Sequence, residues 1–154
     1  MKAWRLLLLT AALAGCRSRG DLTDPCSFLT AGEVKEAFDV DHVQMVRRDQ
    51  VSLAPEDREK KLGQMCIVTA SDVANFTMFH VRLGTPAEFV SEKVRVVRKN
   101  QGTENLPGIA EQAFWNQSTS TAAALKNGHA VILTSVLRKA TAVDLLKKAA
   151  KRLP

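Results

Sequence analysis

Apolar residues recur along the chain with two periods, one typical of strands and one typical of helices. Alternating apolar and polar positions predict six strands, at residues 42–48, 64–70, 75–83, 113–116, 122–126 and 129–136. Apolar spacings of three and four predict three helices, at residues 31–38, 86–99 and 141–153. The charged stretch 49–63 is predicted to be an exposed loop or a short helical turn, and the stretch 101–108 a loop.

Two of the predicted helices begin with the same local signal. Thr30 and Glu33 stand three residues apart, and so do Thr85 and Glu88. This spacing predicts a capping box, in which the threonine hydroxyl and the glutamate carboxylate each accept a backbone N–H at the start of the helix. Pro86 then occupies the first position of the second helix, where its missing N–H is not needed.

The second helix is expected to pack through one apolar stripe, because its apolar residues recur at helical spacing. The stripe expected to face the core is Phe89, Val90, Val94 and Val97. The residues expected to face water are Glu92, Lys93, Arg95 and Lys99.

The predicted order is helix, three strands, helix, three strands, helix. Short connections between consecutive strands favour antiparallel pairing. Asn127-Gly128 predicts a type I′ hairpin, since both residues tolerate positive φ. We therefore expect an α+β fold with one antiparallel sheet of five or six strands and the helices on one face. The two similar halves suggest a helix-plus-three-strand pseudo-repeat.

The composition is that of an ordinary globular protein. The 154 residues favour one domain, expected at residues 25–154. A hydrophobic fraction of 45% and a charged fraction of 25% exclude a disordered, collagen-like or multi-span membrane chain.

The first residues have the pattern of an export signal. Lys2 and Arg5 precede an apolar run at residues 6–15. The run is too short to span a bilayer but has the length of a signal-peptide core. The alternative is a short, buried N-terminal helix.

The end of that run is similar to a known processing site. Leu13-Ala14-Gly15-Cys16 resembles the lipobox of bacterial lipoproteins. The resemblance implies cleavage between Gly15 and Cys16 and acylation of the Cys16 thiol. Residues 1–15 are then the signal peptide and residues 16–24 a lipidated tether. Arg17 in the second mature position implies the outer membrane if the host has two.

The remaining cysteines are an even number. Once Cys16 is assigned to lipid, Cys26 and Cys66 are left, and outside the cytoplasm they are expected to pair. Two buried free thiols are the alternative. The scattered histidines His42, His80 and His129 lack the spacing of metal ligands, so we expect neither a metal nor a cofactor.

Positive charge is concentrated in the last part of the chain. The formal net charge is +6, and from Ala113 onward seven basic residues accompany a single acid, Asp144. Export and the lack of interleaved aromatic residues argue against nucleic acid. Anionic lipid or an acidic envelope polymer is the better candidate partner, and a solvated helix face is the plain alternative. The residues expected to contact such a surface are Lys147, Lys148, Lys151 and Arg152.

The opening of the predicted domain resembles a lipoprotein motif. Residues 24–34 are similar to Pro-Cys-x-Leu-Leu-Thr-x-x-Glu-Val, which marks a group of small bacterial lipoproteins of unknown function, best known in actinobacteria. Residues 106–114 resemble their Gly-x-Gly-x-x-Ala-Phe stretch. The resemblance implies a lipoprotein domain with a Cys26–Cys66 bond, and it assigns no catalytic residue.

The sequence contains none of the common catalytic motifs. It lacks a nucleophile elbow, a zinc-protease helix, a phosphate-binding loop and a dinucleotide fingerprint. We therefore expect no enzyme, but an envelope lipoprotein on the extracytoplasmic side of a membrane, with a non-catalytic domain that binds an envelope protein or other ligand. The alternatives are an accessory that binds anionic lipid or polymer, and an uncatalogued hydrolase.

Overall fold

The computed structural model describes residues 19–48, 65–99 and 102–154. The predicted signal peptide, Cys16 and the predicted loop at 49–63 lie outside these residues. Within them, a 3₁₀ turn at Pro25–Phe28 precedes three helices: α1 (Ala31–Phe38), α2 (Pro86–Lys99) and α3 (Lys139–Ala150). The strands are β1 (His42–Arg48), β2 (Met65–Ser71), β3 (Phe76–Gly84), β4 (Thr103–Asn105), β5 (Gln112–Asn116), β6 (Thr121–Lys126) and β7 (His129–Thr134).

Both predicted capping boxes are confirmed. Thr30 Oγ1 accepts the N–H of Glu33 at 3.2 Å, and Glu33 Oε2 accepts the N–H of Thr30 at 2.8 Å. At the start of α2, the same pair of bonds joins Thr85 and Glu88 at 3.3 and 2.6 Å. Each box satisfies N–H groups that have no partner inside the helix.

The strands form one antiparallel sheet in the order β1-β2-β3-β7-β6-β5-β4. The meanders β1-β2-β3 and β4-β5-β6-β7 therefore meet where β3 pairs with β7, with Val81 opposite Leu133. This is the α+β class and antiparallel pairing expected from the sequence. The suggested pseudo-repeat of a helix and three strands is not matched in detail, because the second meander has four strands.

The larger core lies on one face of the sheet, beneath α1, α3 and the 3₁₀ turn. Alternate residues of the central strands point into it, as the pleat requires. Its largest buried side chains include Trp115, Phe28, Phe79, Leu133, Leu145, Leu146 and Leu153.

The expectation that all helices pack on one face is wrong. α2 packs on the opposite face, over β3, β6 and β7. There Phe89 joins a second buried group with Phe114, Ala123 and Ile132, and the Phe89 and Phe114 ring centroids lie 5.4 Å apart. The second half of the sheet is therefore covered on both faces, while no helix among the described residues covers this face of β1 and β2.

The predicted inner stripe of α2 is only partly right. Phe89 is buried, but Val90 and Val94 are 54% and 43% exposed. Glu92, expected in water, is 8% exposed, because it forms ion pairs with Arg82 on β3 and with Arg95 one turn further along α2. Val97 lies outside the described side chains.

The predicted loop at 101–108 contains the short strand β4. Its residue Thr103 pairs with Asn116 of β5, whose buried side-chain amide donates to the Thr103 hydroxyl at 2.7 Å. This strand brings the sheet to seven strands within the described residues, where five or six were expected. Its three polar residues carry no apolar alternation, so the period that reveals the other strands is missing here.

Candidate functional site

The sheet has two ends, at which different parts of the chain meet. The 3₁₀ turn, the β6–β7 hairpin and the C-terminal end of α3 share one end, which we call the tether end. The end of α1, the β2–β3 turn and the β7–α3 connection share the other, which we call the far end. The hairpin at the tether end is the predicted one, with φ of 47° at Asn127 and 76° at Gly128.

The last residues of the predicted tether are held against the domain at the tether end. The Gly20 N–H donates to the Arg152 carbonyl at 3.0 Å, just beyond α3. A Cβ atom at Gly20 would lie 2.5 Å from the Phe28 ring, so only glycine allows this close approach. The stretch that joins Cys16 to the domain is therefore shorter than the predicted tether.

Cys26 and Cys66 lie at disulfide-bonding distance, in agreement with the predicted pair. Their Sγ atoms are 2.09 Å apart, and 40 residues separate them in sequence. The bond joins the 3₁₀ turn, which follows the tether directly, to β2 in the sheet. Cys66 is fully buried, and Asp24 caps the turn by accepting the Cys26 N–H at 2.9 Å.

The four basic residues expected at an anionic surface fall into two pairs. Lys148 forms ion pairs with Glu36 of α1 at 3.0 Å and with Asp144 at 2.9 Å. Arg152 pairs with Glu33 at 2.9 Å and donates to the Phe28 carbonyl at 3.1 Å. These two side chains therefore fasten α1 to α3.

The other pair of this set remains exposed. Lys147 and Lys151 are one turn apart on α3, and among the described residues neither side chain has a hydrogen bond or ion pair. Of the four predicted contacts, these two are the ones available to a partner at the tether end.

A cleft of about 530 Å³ opens at the far end of the sheet. Three segments that are distant in sequence form it: residues 38–40 after α1, residues 70–77 around the β2–β3 turn, and residues 137–138 before α3. Phe76 and Leu137, on two of these segments, are 72% and 77% exposed. Apolar side chains so exposed at a concave surface are typical of a binding site.

A network of hydrogen bonds fixes the β2–β3 turn that carries Phe76. The Asp72 carboxylate accepts the backbone N–H groups of Ala74 and Asn75 at 2.7 and 2.6 Å, and the Asn75 side-chain amide at 3.0 Å. The hydrogen bonds from the Asn75 side chain and from these two N–H groups lower the pKa of Asp72. The turn is therefore held in one shape, with Val73 and Phe76 pointing into solvent.

Two other charged residues of the cleft, Arg138 and Asp39, do not hold a turn together as Asp72 does. Arg138 precedes α3 and Asp39 follows α1, where it adopts the left-handed conformation with φ of 54°. Among the described residues neither side chain has a hydrogen bond or ion pair. The cleft thus offers one cationic and one anionic group beside the apolar side chains of Phe76 and Leu137, while no histidine, cysteine or serine lines it.

The three histidines lie apart from one another. His42 begins β1 at the far end, His129 begins β7 at the tether end, and His80 lies in β3, 3.5 Å from the Thr134 hydroxyl. The described residues contain no group of three histidine, cysteine or acidic side chains able to hold a metal ion. No described helix has the length and apolar character needed to cross a membrane.

A second, smaller hollow of about 350 Å³ lies at the tether end. Ile109 and Ala110, from the segment that resembles the lipoprotein stretch, form part of its wall. Lys126 and Asn127 also line it, but both donate to carbonyl groups that follow α3, at 2.8 Å in each case. Lys151 also lines the hollow, and its ammonium group has no hydrogen bond or ion pair among the described residues.

Comparison of the chain with protein-family models, with curated proteins and with solved structures finds no match. The resemblance of residues 24–34 therefore stays an expectation. Sequence reasoning missed the far-end cleft. The available signals were apolar Val73 and Phe76 beside a turn, and Leu137 in the connection before a helix.

Proposed function

We propose that this protein is a cell-envelope lipoprotein whose domain binds a partner protein or ligand without catalysis. The lipobox supports cleavage after Gly15 and acylation of Cys16, which would anchor the chain on the extracytoplasmic side of a membrane. In a host with two membranes, Arg17 favours the outer one. The function proposed for the domain is to present its far-end cleft to that partner.

The observation that carries this proposal is the position of the cleft. Its exposed apolar side chains, Phe76 and Leu137, lie at the far end, while Gly20 fixes the tether at the other end. A protein anchored through Cys16 can therefore offer the cleft to a molecule in the envelope without interference from its own membrane.

The chemistry of the cleft favours binding over a reaction. Its residue Asp72 is occupied by three hydrogen bonds that hold its own turn together. Its exposed side chains Phe76 and Leu137 supply apolar contact, and Arg138 and Asp39 supply charge for orientation. Apolar side chains beside a few polar groups that fix orientation are usual in a binding site.

Site-specific crosslinking in the host tests this function. A photoreactive amino acid placed at position 76 or 137 should give a discrete adduct, and one at position 90 should not. Val90 is the matched control, because it is also apolar and exposed but lies on α2. Leu137→Asp should abolish the adduct from position 76, while Val90→Asp should leave it unchanged.

Exposed side chains contribute little to stability, so these changes should alter the free energy of unfolding by less than about 0.5 kcal/mol. Equal crosslinking from all three positions would contradict the proposal. So would turnover of an envelope substrate by the purified protein that is lost in Leu137→Asp, because that result would favour the hydrolase.

An intact mass of the protein from the host membrane fraction, measured without reductant, tests the anchor. We expect a chain that begins at Cys16 and carries diacylglycerol or three acyl groups. Its mass should be lower than that of the reduced chain by two hydrogens, because Cys26 and Cys66 form a disulfide. A full-length, unlipidated chain with free thiols would overturn the proposed location.

A further inference from the structure

The anchor and α3 are close together if Cys16 is acylated, as the proposed function holds. Gly20 is bonded to the carbonyl of Arg152, and only four residues lead from Cys16 to Gly20. Four extended residues span at most about 14 Å. The C-terminal end of α3 therefore lies within about that distance of the lipid-modified residue.

The charge at this end is uncompensated at two residues. The acids of α1 and α3 near them pair with other bases, since Glu33 binds Arg152 and Glu36 and Asp144 bind Lys148. Glu111, which lines the hollow beside Lys151, accepts the Asn127 N–H. Lys147 and Lys151 remain exposed without a partner among the described residues.

Charge in the tether itself does not cancel these two lysines. The predicted tether, residues 16–24, contains two bases, Arg17 and Arg19, and two acids, Asp21 and Asp24, so its formal charge is zero. Lys147 and Lys151 therefore contribute positive charge next to the anchor that the tether does not neutralise.

We propose that Lys147 and Lys151 dock the tether end of the domain on anionic phospholipid headgroups of the membrane that holds the anchor. Headgroups are the anionic surface that a short lipid tether brings within reach of these side chains. Each lysine near an anionic membrane strengthens binding by roughly fivefold, so two together contribute about 30-fold.

Docking sets the direction in which the cleft points. The seven residues of β2 run from the tether end to the far end, a length of about 23 Å. Docking at the tether end leaves the rim that carries Phe76 and Leu137 at the opposite end of the sheet, about this far along the strands from the docked end.

Lysine labelling on vesicles tests the proposal. The lipidated protein is incorporated into phosphatidylglycerol–phosphatidylethanolamine vesicles and into phosphatidylcholine vesicles, treated with an amine-reactive reagent, and analysed by mass spectrometry. Lys147 and Lys151 should be labelled about 30-fold more slowly on the anionic vesicles. In 1 M salt, where the screening length falls to about 3 Å, the protection should disappear. Lys93 and Lys139 serve as internal controls and should be labelled equally on both.

Single substitutions separate docking from other causes of protection. Lys147→Gln should reduce the protection of Lys151 to about fivefold, and Lys151→Gln should do the same for Lys147. Lys139→Gln removes the same charge at the far end and should leave both lysines fully protected. Unfolding does not explain these results, because in the part of the chain that the structure describes the side chains of Lys147 and Lys151 form no hydrogen bond or ion pair that a substitution would remove.

Flotation of the vesicles distinguishes failure of docking from failure of the anchor. Protein that floats with both lipids but shows equal labelling of Lys147 and Lys151 overturns the docking proposal alone. Protein that floats with neither overturns the anchor, and docking with it. Protection found in intact envelopes but absent on anionic vesicles assigns the lysines to an envelope polymer and also overturns docking on lipid.

Discussion

Arg152→Met should destabilise the domain by about 2 kcal/mol at neutral pH, because Arg152 is part of the fold. Its guanidinium pairs with Glu33 at 2.9 Å and donates to the carbonyls of Phe28 and Lys148 at 3.1 and 3.3 Å. Methionine keeps the length and apolar stem of the side chain and removes only these polar contacts.

The magnitude follows from the exposure of the pair. The Arg152 and Glu33 side chains are 17% and 22% exposed, so the pair is neither fully on the surface nor fully buried. A surface ion pair is worth about 0.2–1 kcal/mol and a buried charged hydrogen bond about 1.5–3 kcal/mol, and this pair should lie between them. We assign about 1 kcal/mol to the coupling with Glu33 and about 1 kcal/mol to the two carbonyl bonds.

The cost should depend on pH through Glu33. Burial alone would raise the pKa of Glu33, but the hydrogen bonds and charge of Arg152, together with the bonds from Thr30, lower it overall. A carboxyl with a lowered pKa in the folded state stabilises that state above its usual pKa of 4.5, and this stability is lost as the pH falls through the folded-state pKa. The difference between the wild type and Arg152→Met should therefore shrink to about 1 kcal/mol at pH 3.

Urea unfolding of a double-mutant cycle measures the coupling directly. Glu33→Gln is the second substitution, because glutamine can still complete the capping box with Thr30. Lys151→Met, on the neighbouring exposed lysine, is the control and should change the free energy of unfolding by less than about 0.5 kcal/mol. A coupling energy near zero would refute the ion-pair reasoning, and so would a cost of Arg152→Met that is the same at pH 7 and pH 3. Either result would mean that Arg152, like Lys147 and Lys151, contributes little to stability.

Three further substitutions test other parts of the fold. Replacing Cys26 and Cys66 by serine should cost about 4 kcal/mol, from the chain entropy of a loop with a sequence separation of 40, and an unchanged urea midpoint would contradict the bond. Phe89→Ala should lower the free energy of unfolding by about 3 kcal/mol and Val90→Ala by less than about 0.5 kcal/mol. Similar losses for both would mean that Val90 also faces the core, as the sequence predicted. Gly128→Val should cost at least about 1 kcal/mol in thermal unfolding, since φ is 76° there, and a neutral result would argue against the type I′ turn.

Local features were predictable because the interactions that cause them span only a few residues. The capping boxes of Thr30 and Thr85 and the turn at Asn127-Gly128 depend on neighbours within four positions. The period of apolar residues also located six strands and three helices. It could not locate β4, whose polar residues are in a strand because of pairing with β5.

The side of a helix that faces the core depends on what lies opposite it. In α2 the partner of Glu92 is Arg82, which belongs to another element, so the buried position of that carboxylate is not visible in the pattern of the helix. One signal was present in the sequence. The run Ala122 to Leu125 has no polar alternation, as is typical of a strand covered on both faces, and α2 supplies the second cover.

The candidate site required the folded chain. Its cleft combines Phe38, Phe76 and Leu137 from segments far apart in sequence. The roles of the basic residues likewise depend on distant partners, since Lys148 and Glu36 are 112 residues apart and Arg152 and Glu33 are 119. Sequence alone identified these side chains as charged and could not separate the paired ones from the exposed ones.

The Cys26–Cys66 bond also determines how mechanical force would pass through the molecule. A pull between an anchored Cys16 and a partner held at Phe76 enters β2 directly at Cys66 and leaves through the β2–β3 turn, so that α1 and β1 carry none of the load. With the bond intact, the covalent backbone of β2 carries this force, so no ladder bond between strands has to break. The bond excludes the chain between Cys26 and Cys66 from the stretched path, and 40 extended residues would measure about 140 Å. We expect single-molecule stretching to extend this segment only after the disulfide is reduced. The disulfide would thus make the anchored protein a short, stiff connector whose length depends on the redox state of its surroundings.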